Sequence, residues 1–202
     1  MKTARKALIL TLCAVLITAA SVMGTLAYLT ATDEVTNTFT VGKVDITLDE
    51  TKVDAAGSPV PSAAPVQQNA YHLLPGHTYT KDPTVHVDAD SEDCYVFVKV
   101  ENGIAAFESA EQGYTPISQQ ILANGWTALD GVTGVYYQTY AKGQTDRDLE
   151  VFDNFKISGT ADEVNGWSAI TAASTKVVVN GYAVQMDGFD TAAAAWSATF
   201  GK

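Results

Sequence analysis

The chain is organised around residues 24–49, GTLAYLTATDEVTNTFTVGKVDITLD. The stretch follows an apolar segment without a spacer and changes at once into alternating apolar and polar residues. Alternation with a period of two is typical of a β-strand whose two faces meet different surroundings. We therefore expect the first strand of a β-domain here, immediately after an N-terminal leader.

The segment upstream has the layout of a signal peptide. Basic residues lie within residues 2–6, and an apolar run follows over residues 7–23. The run is slightly short for a hydrocarbon core roughly 30 Å thick, and no basic cluster follows it. We therefore expect residues 1–27 to form a signal helix that is cleaved, with contact to the membrane only through the uncleaved signal.

The expected cleavage site lies between Ala27 and Tyr28. Thr25 and Ala27 supply the small residues that a signal peptidase needs at the third and first positions before the cut. Cys13 does not predict lipidation, because the residue before it is the large Leu12. The exported chain is thus expected to span residues 28–202 as one domain.

Three short strings carry a resemblance to a known family: residues 24–30, residues 37–42 and the alternating residues 44–48. They resemble the start of the TasA/camelysin family of exported proteins, which a SipW-type signal peptidase processes. A looser similarity continues over residues 74–99 and 183–185. The resemblance implies a Gram-positive host, a jelly-roll β-sandwich, and secretion to the cell surface or extracellular matrix. It also implies biofilm matrix fibres built from the protein itself or from related matrix proteins.

The charge of the exported chain restricts its partners. Without residues 1–27, nine basic residues stand against 23 acidic ones, a net charge of −14. Such a surface repels nucleic acid and anionic lipid. Self-assembly must then overcome repulsion through backbone and apolar contacts, helped by salt or divalent cations.

The apolar residues of the first strand change parity at Gly42. Before it they are odd-numbered, ending at Phe39 and Val41, and after it they are even-numbered, from Val44 to Leu48. A bulge or a change of sheet at Gly42 would let both sets face apolar surroundings. One interpretation is a bulged strand in one core. The other is that residues 28–41 act as a donor strand, whose candidate assembly residues are Tyr28, Leu29, Val35, Phe39 and Val41.

The rest of the chain predicts an all-β domain with short helices, arranged as an antiparallel β-sandwich. Residues 53–70 hold three prolines and predict a loop. A strand is expected in the segment from the turn at residues 73–76 to residue 88, with Pro83 inside it, and further strands near residues 94–101, 134–140, 149–157 and 176–186. Pro83 predicts an edge or a strand start, and Asn180-Gly181 predicts either a hairpin or a bulge in a continuous strand.

Two short helices are predicted. One follows Thr115 as cap and Pro116 as first residue, with an apolar stripe that includes Leu122. The other spans residues 192–200 after a cap at residues 190–191. In this second helix the aromatic side chains four apart, at positions 196 and 200, are expected to fill the core.

Motifs for catalysis are absent from the sequence. There is no His-Glu-x-x-His, no nucleophile elbow and no phosphate loop. His72, His77 and His86 lie on turn and strand segments, where His77 and His86 could approach each other across the fold. We expect no enzyme activity and no cofactor, although some proteins of the resembled family are labelled metallopeptidases.

Two further features have alternative interpretations. The acidic, hairpin-like turn at residues 88–93 offers weak calcium candidates, or it is simply a solvated turn, because it lacks the glycine and distal glutamate of an EF-hand. These candidates are Asp88, Asp90, Glu92 and Asp93. Cys94 lies in an apolar run and is either a buried inert thiol or an intermolecular bridge.

Two functions are compatible with these observations. The first is a secreted structural subunit of extracellular or biofilm matrix fibres that assembles by donor-strand addition. The alternative is a monomeric secreted accessory or adhesin-type binding module at the cell surface.

Overall fold

The structure is a computed structural model that describes residues 6, 13, 15, 16, 42–161, 167 and 176–201. The chain divides into two compact units, residues 1–41 and 42–202. The four described residues of the first unit are helical. The predicted cleavage site and the candidate donor strand 28–41 lie outside the described residues. So does the part of the chain that would form a bulge before Gly42. No helix in the described ranges is long and apolar enough to cross a bilayer.

The described part of the second unit contains nine strands and two α-helices, with a 3-10 helix after the fourth strand. In chain order they are β1 (Ile46–Asp49), β2 (Thr78–Thr80), β3 (Thr84–Val87), β4 (Cys94–Asn102), the 3-10 helix (Ala105–Phe107), α1 (Ile117–Ala123), β5 (Thr127–Ala128), β6 (Val135–Tyr140), β7 (Asp148–Glu150), β8 (Asn154–Lys156), β9 (Val177–Gln185) and α2 (Ala192–Thr199).

These strands form three antiparallel sheets. Their orders are β1-β3-β7, β2-β8 and β5-β6-β4-β9. The predicted all-β class is therefore confirmed. The jelly-roll sandwich implied by the resemblance stays a prediction.

The main core contains residues of both the three-stranded and the four-stranded sheet. On β1, Ile46 and Leu48 stand opposite Val87 and Val85 of β3, and both pack against the same buried cluster as Val96 of β4. This burial of alternate aliphatic residues stabilises the pair of sheets by roughly 1.5–3 kcal/mol for each fully buried side chain.

The strand β4 is covered on both faces, as its sequence predicts. Its even-numbered residues enter the main core, and Tyr95 and Phe97 on the other face pack in a second cluster with Trp196 of α2. A strand with both faces buried needs apolar residues at both parities. This explains the continuous apolar run that begins at Cys94.

The prediction of one continuous strand over residues 149–157 is wrong. The chain forms β7 and then β8, which belong to different sheets. Val151 and Phe152, adjacent residues between the two strands, are both fully buried. A single half-exposed strand buries only every second residue, so the imperfect alternation here marks a change of sheet.

The last strand, β9, is continuous. Its nine residues pair with β4 in one unbroken register, with Gly181 opposite Val98. The predicted hairpin at Asn180-Gly181 is therefore wrong. The alternative, a continuous strand, is confirmed, but without the bulge predicted at Gly181. Gly181 instead lies where the side chain of Ile46 packs against the backbone of β9.

Two other expectations change at β3. The strand begins at Thr84, directly after Pro83, as predicted for a strand start, but it is the middle strand of its sheet and not an edge. The acidic turn after it is not a hairpin, because β3 and β4 belong to different sheets. The turn carries the chain from one layer to the other.

The start of α1 differs from the predicted cap. Pro116 occupies the cap position, no side chain of the predicted pair binds there, and the Glu108 carboxylate accepts a hydrogen bond from Ile117 N at 2.7 Å instead. A carboxylate at a helix N-terminus satisfies a free N–H and interacts favourably with the helix dipole. Leu122, expected in the apolar stripe, is 51% exposed.

The second helix begins and packs as predicted. Thr191 Oγ1 accepts a hydrogen bond from Ala194 N at 3.1 Å. The rings of Trp196 and Phe200 lie 5.2 Å apart, and Trp196 lies 5.2 Å from Phe97 of β4. The helix therefore covers the second face of the four-stranded sheet.

Candidate assembly groove

Two edge strands, β1 and β9, approach each other where the main core meets solvent. The approach is closest around Gly181. A Cβ placed there would lie 3.4 Å from Ile46 Cδ1 and 3.7 Å from Val85 Cγ2. The missing side chain at position 181 thus lets β1 and β3 side chains pack directly on the backbone of β9.

The outer edge of β9 presents a row of backbone groups. Met186 N donates to Asp93 O at 2.8 Å, and Gly103 N donates to Lys176 O at 2.9 Å, so even-numbered positions of β9 bond towards β4. In an antiparallel ladder the positions between them point the other way. The N–H and C=O groups that face outward belong to Val177, Val179, Gly181, Ala183 and Gln185.

The outer edge of β1 is shorter. Asp88 N donates to Asp45 O, so odd-numbered positions of β1 bond towards β3 and even-numbered ones face outward. At Glu50 the outward groups already pair with Val66. Counting only backbone bonds between described residues, the outward groups of Ile46 and Leu48 are the ones in β1 without a partner, so β9 offers the longer edge for an added strand.

A groove of about 1240 Å³ lies beside these two edges. Its walls are β1, the start of β9 and the segment 67–73. Ile104 and Phe155 line it from the buried core. Seven further apolar lining side chains are only partly buried: Ile46, Leu48, Tyr71, Leu73, Trp167, Val177 and Val179. These side chains extend the main core to the surface, where another apolar strand could cover them.

The wall at residues 67–73 is held by a polar network. Asn69 Nδ2 donates to Glu50 Oε1 at 2.9 Å and to Thr51 O at 2.8 Å, and Asn69 Oδ1 accepts from Val53 N at 3.0 Å. The Glu50 carboxylate also pairs with the Lys81 ammonium, and Glu50 is 5% exposed. Breaking a buried pair leaves a charge without compensation, so this network gives the groove a fixed shape.

Tyr71 closes the same wall. Its hydroxyl donates to Thr80 O at 3.0 Å, and its ring packs edge-on against Phe155 at 5.2 Å. Burial, with the charges of Glu50 and Asp82 added, raises the pKa of the Tyr71 hydroxyl. Sequence reasoning missed Glu50, Asn69 and Lys81, because their pairing depends on contacts between residues far apart in the chain.

Three of the four calcium candidates have carboxylates that accept hydrogen bonds within the protein, and two of these bonds come from Lys142. Asp88 Oδ1 accepts from Asp90 N at 3.0 Å, Glu92 Oε1 lies 2.7 Å from Lys142 Nζ, and Asp93 Oδ1 accepts from Lys142 N at 2.7 Å. Within the described ranges, no three His, Cys, Asp or Glu side chains are grouped so that they could hold a metal ion.

The three histidines lie in different surroundings. His72 and His77 are exposed. The His77 ring lies 6.4 Å from the ring of Tyr79. His86, in the middle strand β3, bonds instead to Asp148 at 2.8 Å and to Asp49 at 3.0 Å.

The predicted burial of Cys94 is confirmed, since its side chain is fully inaccessible. Burial, with the negative charge of Asp93 as a second cause, raises the pKa of the Cys94 thiol to about 11. The thiol is therefore protonated at neutral pH and is a poor nucleophile.

No protein-family model, no curated protein and no solved structure matches this chain.

Proposed function

We propose that the protein is a secreted structural subunit of extracellular or biofilm matrix fibres, and that its copies join by donor-strand addition. In this mechanism residues 28–41 of one copy lie along the outer edge of β9 in the next copy. The observation that carries the proposal is the long outward row of backbone groups on β9 beside an apolar groove.

The composition of residues 28–41 suits that groove. Odd positions carry Val35, Phe39 and Val41, and the even positions 36, 38 and 40 are all threonine. A strand with this pattern would direct the apolar set towards one face and the threonines towards the other. The segment contains no proline and no basic residue, so every residue could donate a backbone N–H to the ladder.

The division of the chain is compatible with this mechanism. Residues 42–202 form a compact unit, and the boundary falls at the position where the apolar parity changes. A donor strand must be separable from the domain that it leaves, because it contributes its apolar residues to a neighbour.

The resemblance of residues 24–49 to the TasA/camelysin family supports the rest of the proposal. It supports secretion from a Gram-positive cell, processing by a SipW-type signal peptidase and a place in the extracellular matrix or at the cell surface. We propose a structural protein and not an enzyme, since the sequence holds no recognised catalytic motif.

The test uses the truncated protein 42–202 and a synthetic peptide of residues 28–41. We expect the peptide to bind the truncated protein and the longer chain 28–202 to form fibres visible by negative-stain microscopy. A peptide with Phe39→Asp is the matched control, because it would place a charge in the apolar groove.

The opposite result has a defined meaning. If chain 28–202 stays monomeric with salt and divalent cations present, and the peptide does not bind, donor-strand assembly is wrong. The alternative hypothesis, a monomeric accessory or adhesin-type module, is then favoured, with the same groove as its binding surface.

A further inference from the structure

His86 lies at the centre of the outward face of the sheet β1-β3-β7. Its Nδ1 atom is 2.8 Å from Asp148 Oδ1 of β7, and its Nε2 atom is 3.0 Å from Asp49 Oδ1 of β1. The two carboxylates come from the strands on either side of β3. One imidazole ring therefore connects all three strands of the sheet.

The chemistry of this arrangement depends on the protonation of the ring. A neutral imidazole has one N–H donor and one acceptor nitrogen, and an ionised carboxylate can only accept. Only the protonated ring can donate to Asp49 and Asp148 together. After deprotonation one carboxylate faces a nitrogen lone pair, and the sheet loses one of its two charge-assisted bonds.

The neighbouring groups favour the charged ring. Thr47 of β1 stands directly opposite His86, and Glu150 of β7, two positions from Asp148, is a further acidic residue. Neither β1 nor β7 contains a lysine or arginine. The hydrogen bond to Asp148 is the largest cause that raises the pKa of His86; partial burial opposes it, and Asp49 adds to it.

We propose that His86 is a pH-sensitive clamp that holds the edge strand β1 in its sheet when protonated and releases part of that hold as the pH rises. The clamp is complete below the ordinary histidine pKa near 6.5 and is lost as the pH rises through the higher pKa of the folded protein. Strand β1 is thus the element whose order responds to neutral and mildly alkaline conditions.

The clamp has a consequence for assembly that rests on the proposed function. Strand β1 is one wall of the groove beside β9. A donor strand gains contacts with β1 only while β1 is ordered, so the affinity between subunits should fall as the clamp is released. Fibre formation would then be favoured on the acidic side of neutrality.

The first test follows the purified protein by NMR from pH 5 to 9. We expect the His86 ring to titrate above 6.5, and to move back towards that value in Asp148→Asn. We expect the amide protection of Thr47 and Asp49, which bond towards β3, to fall by about tenfold for each unit by which the His86 pKa is raised.

His86→Gln removes the charge change, and His77→Gln is the matched control, because it removes an exposed histidine without touching this sheet. Protection of the two amides should become independent of pH in His86→Gln and stay pH-dependent in His77→Gln. A His86 ring that titrates at the ordinary value, or equal pH dependence in wild type and His86→Gln, would overturn the proposal. If His86→Gln does not fold, the Asp148→Asn titration decides alone.

Fibre mass against pH tests the assembly consequence separately. We expect wild-type fibre mass to fall through the measured His86 pKa, and His86→Gln to show no such step. If His86 titrates above 6.5 as expected but no fibres form at any pH, the proposed function is rejected and the clamp is not. Fibres with an unchanged yield across the His86 titration would reject the coupling.

Discussion

Proline substitutions at two neighbouring positions of β9 should distinguish the stability of the domain from the proposed assembly into fibres. Ala183 lies at a position whose N–H points outward, and Val184 lies at one whose N–H bonds towards Tyr95 of β4. Proline lacks the N–H and is tolerated on an edge strand only where that group faces outward. Ala183→Pro and Val184→Pro therefore differ by one position but remove different bonds.

The expected magnitudes follow from what each change leaves unpaired. Val184→Pro removes a ladder bond and leaves the Tyr95 carbonyl without its partner, which costs about 1–3 kcal/mol of folding stability. Ala183→Pro removes no backbone bond between the described residues of the domain. It instead leaves a carbonyl of the incoming strand unpaired, which costs about 1–3 kcal/mol per subunit contact, or roughly 5- to 150-fold in affinity.

Two measurements distinguish the variants. The critical concentration for fibre formation, measured by sedimentation, should rise roughly 5- to 150-fold in Ala183→Pro, while its urea unfolding midpoint stays close to wild type. Val184→Pro should lower the midpoint. The reasoning is refuted if Ala183→Pro forms fibres at the wild-type concentration, or if it unfolds as readily as Val184→Pro.

Four further predictions concern export, stability and chemistry. Intact-mass spectrometry of secreted protein should show a chain beginning at Tyr28; a retained leader would contradict the predicted cleavage. Glu108→Gln should lower the unfolding free energy by about 1–3 kcal/mol, because it removes the charged acceptor at the start of α1. Glu111→Gln, which weakens the pair between the exposed Glu111 and Lys156, should cost less than 1 kcal/mol. Trp196→Ala should cost about 3–5 kcal/mol in urea unfolding, because Trp196 fills the second core; a loss below 1 kcal/mol would show that α2 is not needed there. Purified protein should show no casein hydrolysis, and its melting temperature should not change with EDTA. A melting temperature that falls with EDTA would support a calcium site at the turn of residues 88–93.

Local sequence patterns predicted the secondary structure well for elements whose signals lie within the element itself or directly beside it. The apolar run that begins at Cys94 predicted a strand buried on both faces, and the cap at Thr191 predicted the start of α2. Both signals depend on residues within a few positions of each other. A local pattern is sufficient in such cases, because the hydrogen bonds or the period that it describes are themselves local.

The incorrect predictions concern elements whose bounds or caps depend on residues far away in the sequence. The split into β7 and β8 depends on which sheet receives each piece, and the cap of α1 comes from Glu108, nine residues before the N–H that it accepts. Gly181 was interpreted as a turn or a bulge, because a glycine in a strand has several local explanations. Its actual role depends on the approach of Ile46 from another sheet.

The all-β class and the apolar alternation after residue 42 could be predicted without the structure, as could the strong negative charge and the absence of recognised catalytic motifs. Each of these is a property of composition or of a short period along the chain. The folded chain was needed to show that β1 and β9 are edges beside one groove, that Asn69 and Lys81 meet at Glu50, and that His86 lies between two carboxylates. These arrangements depend on strand order and register, which are set by the packing of the whole core.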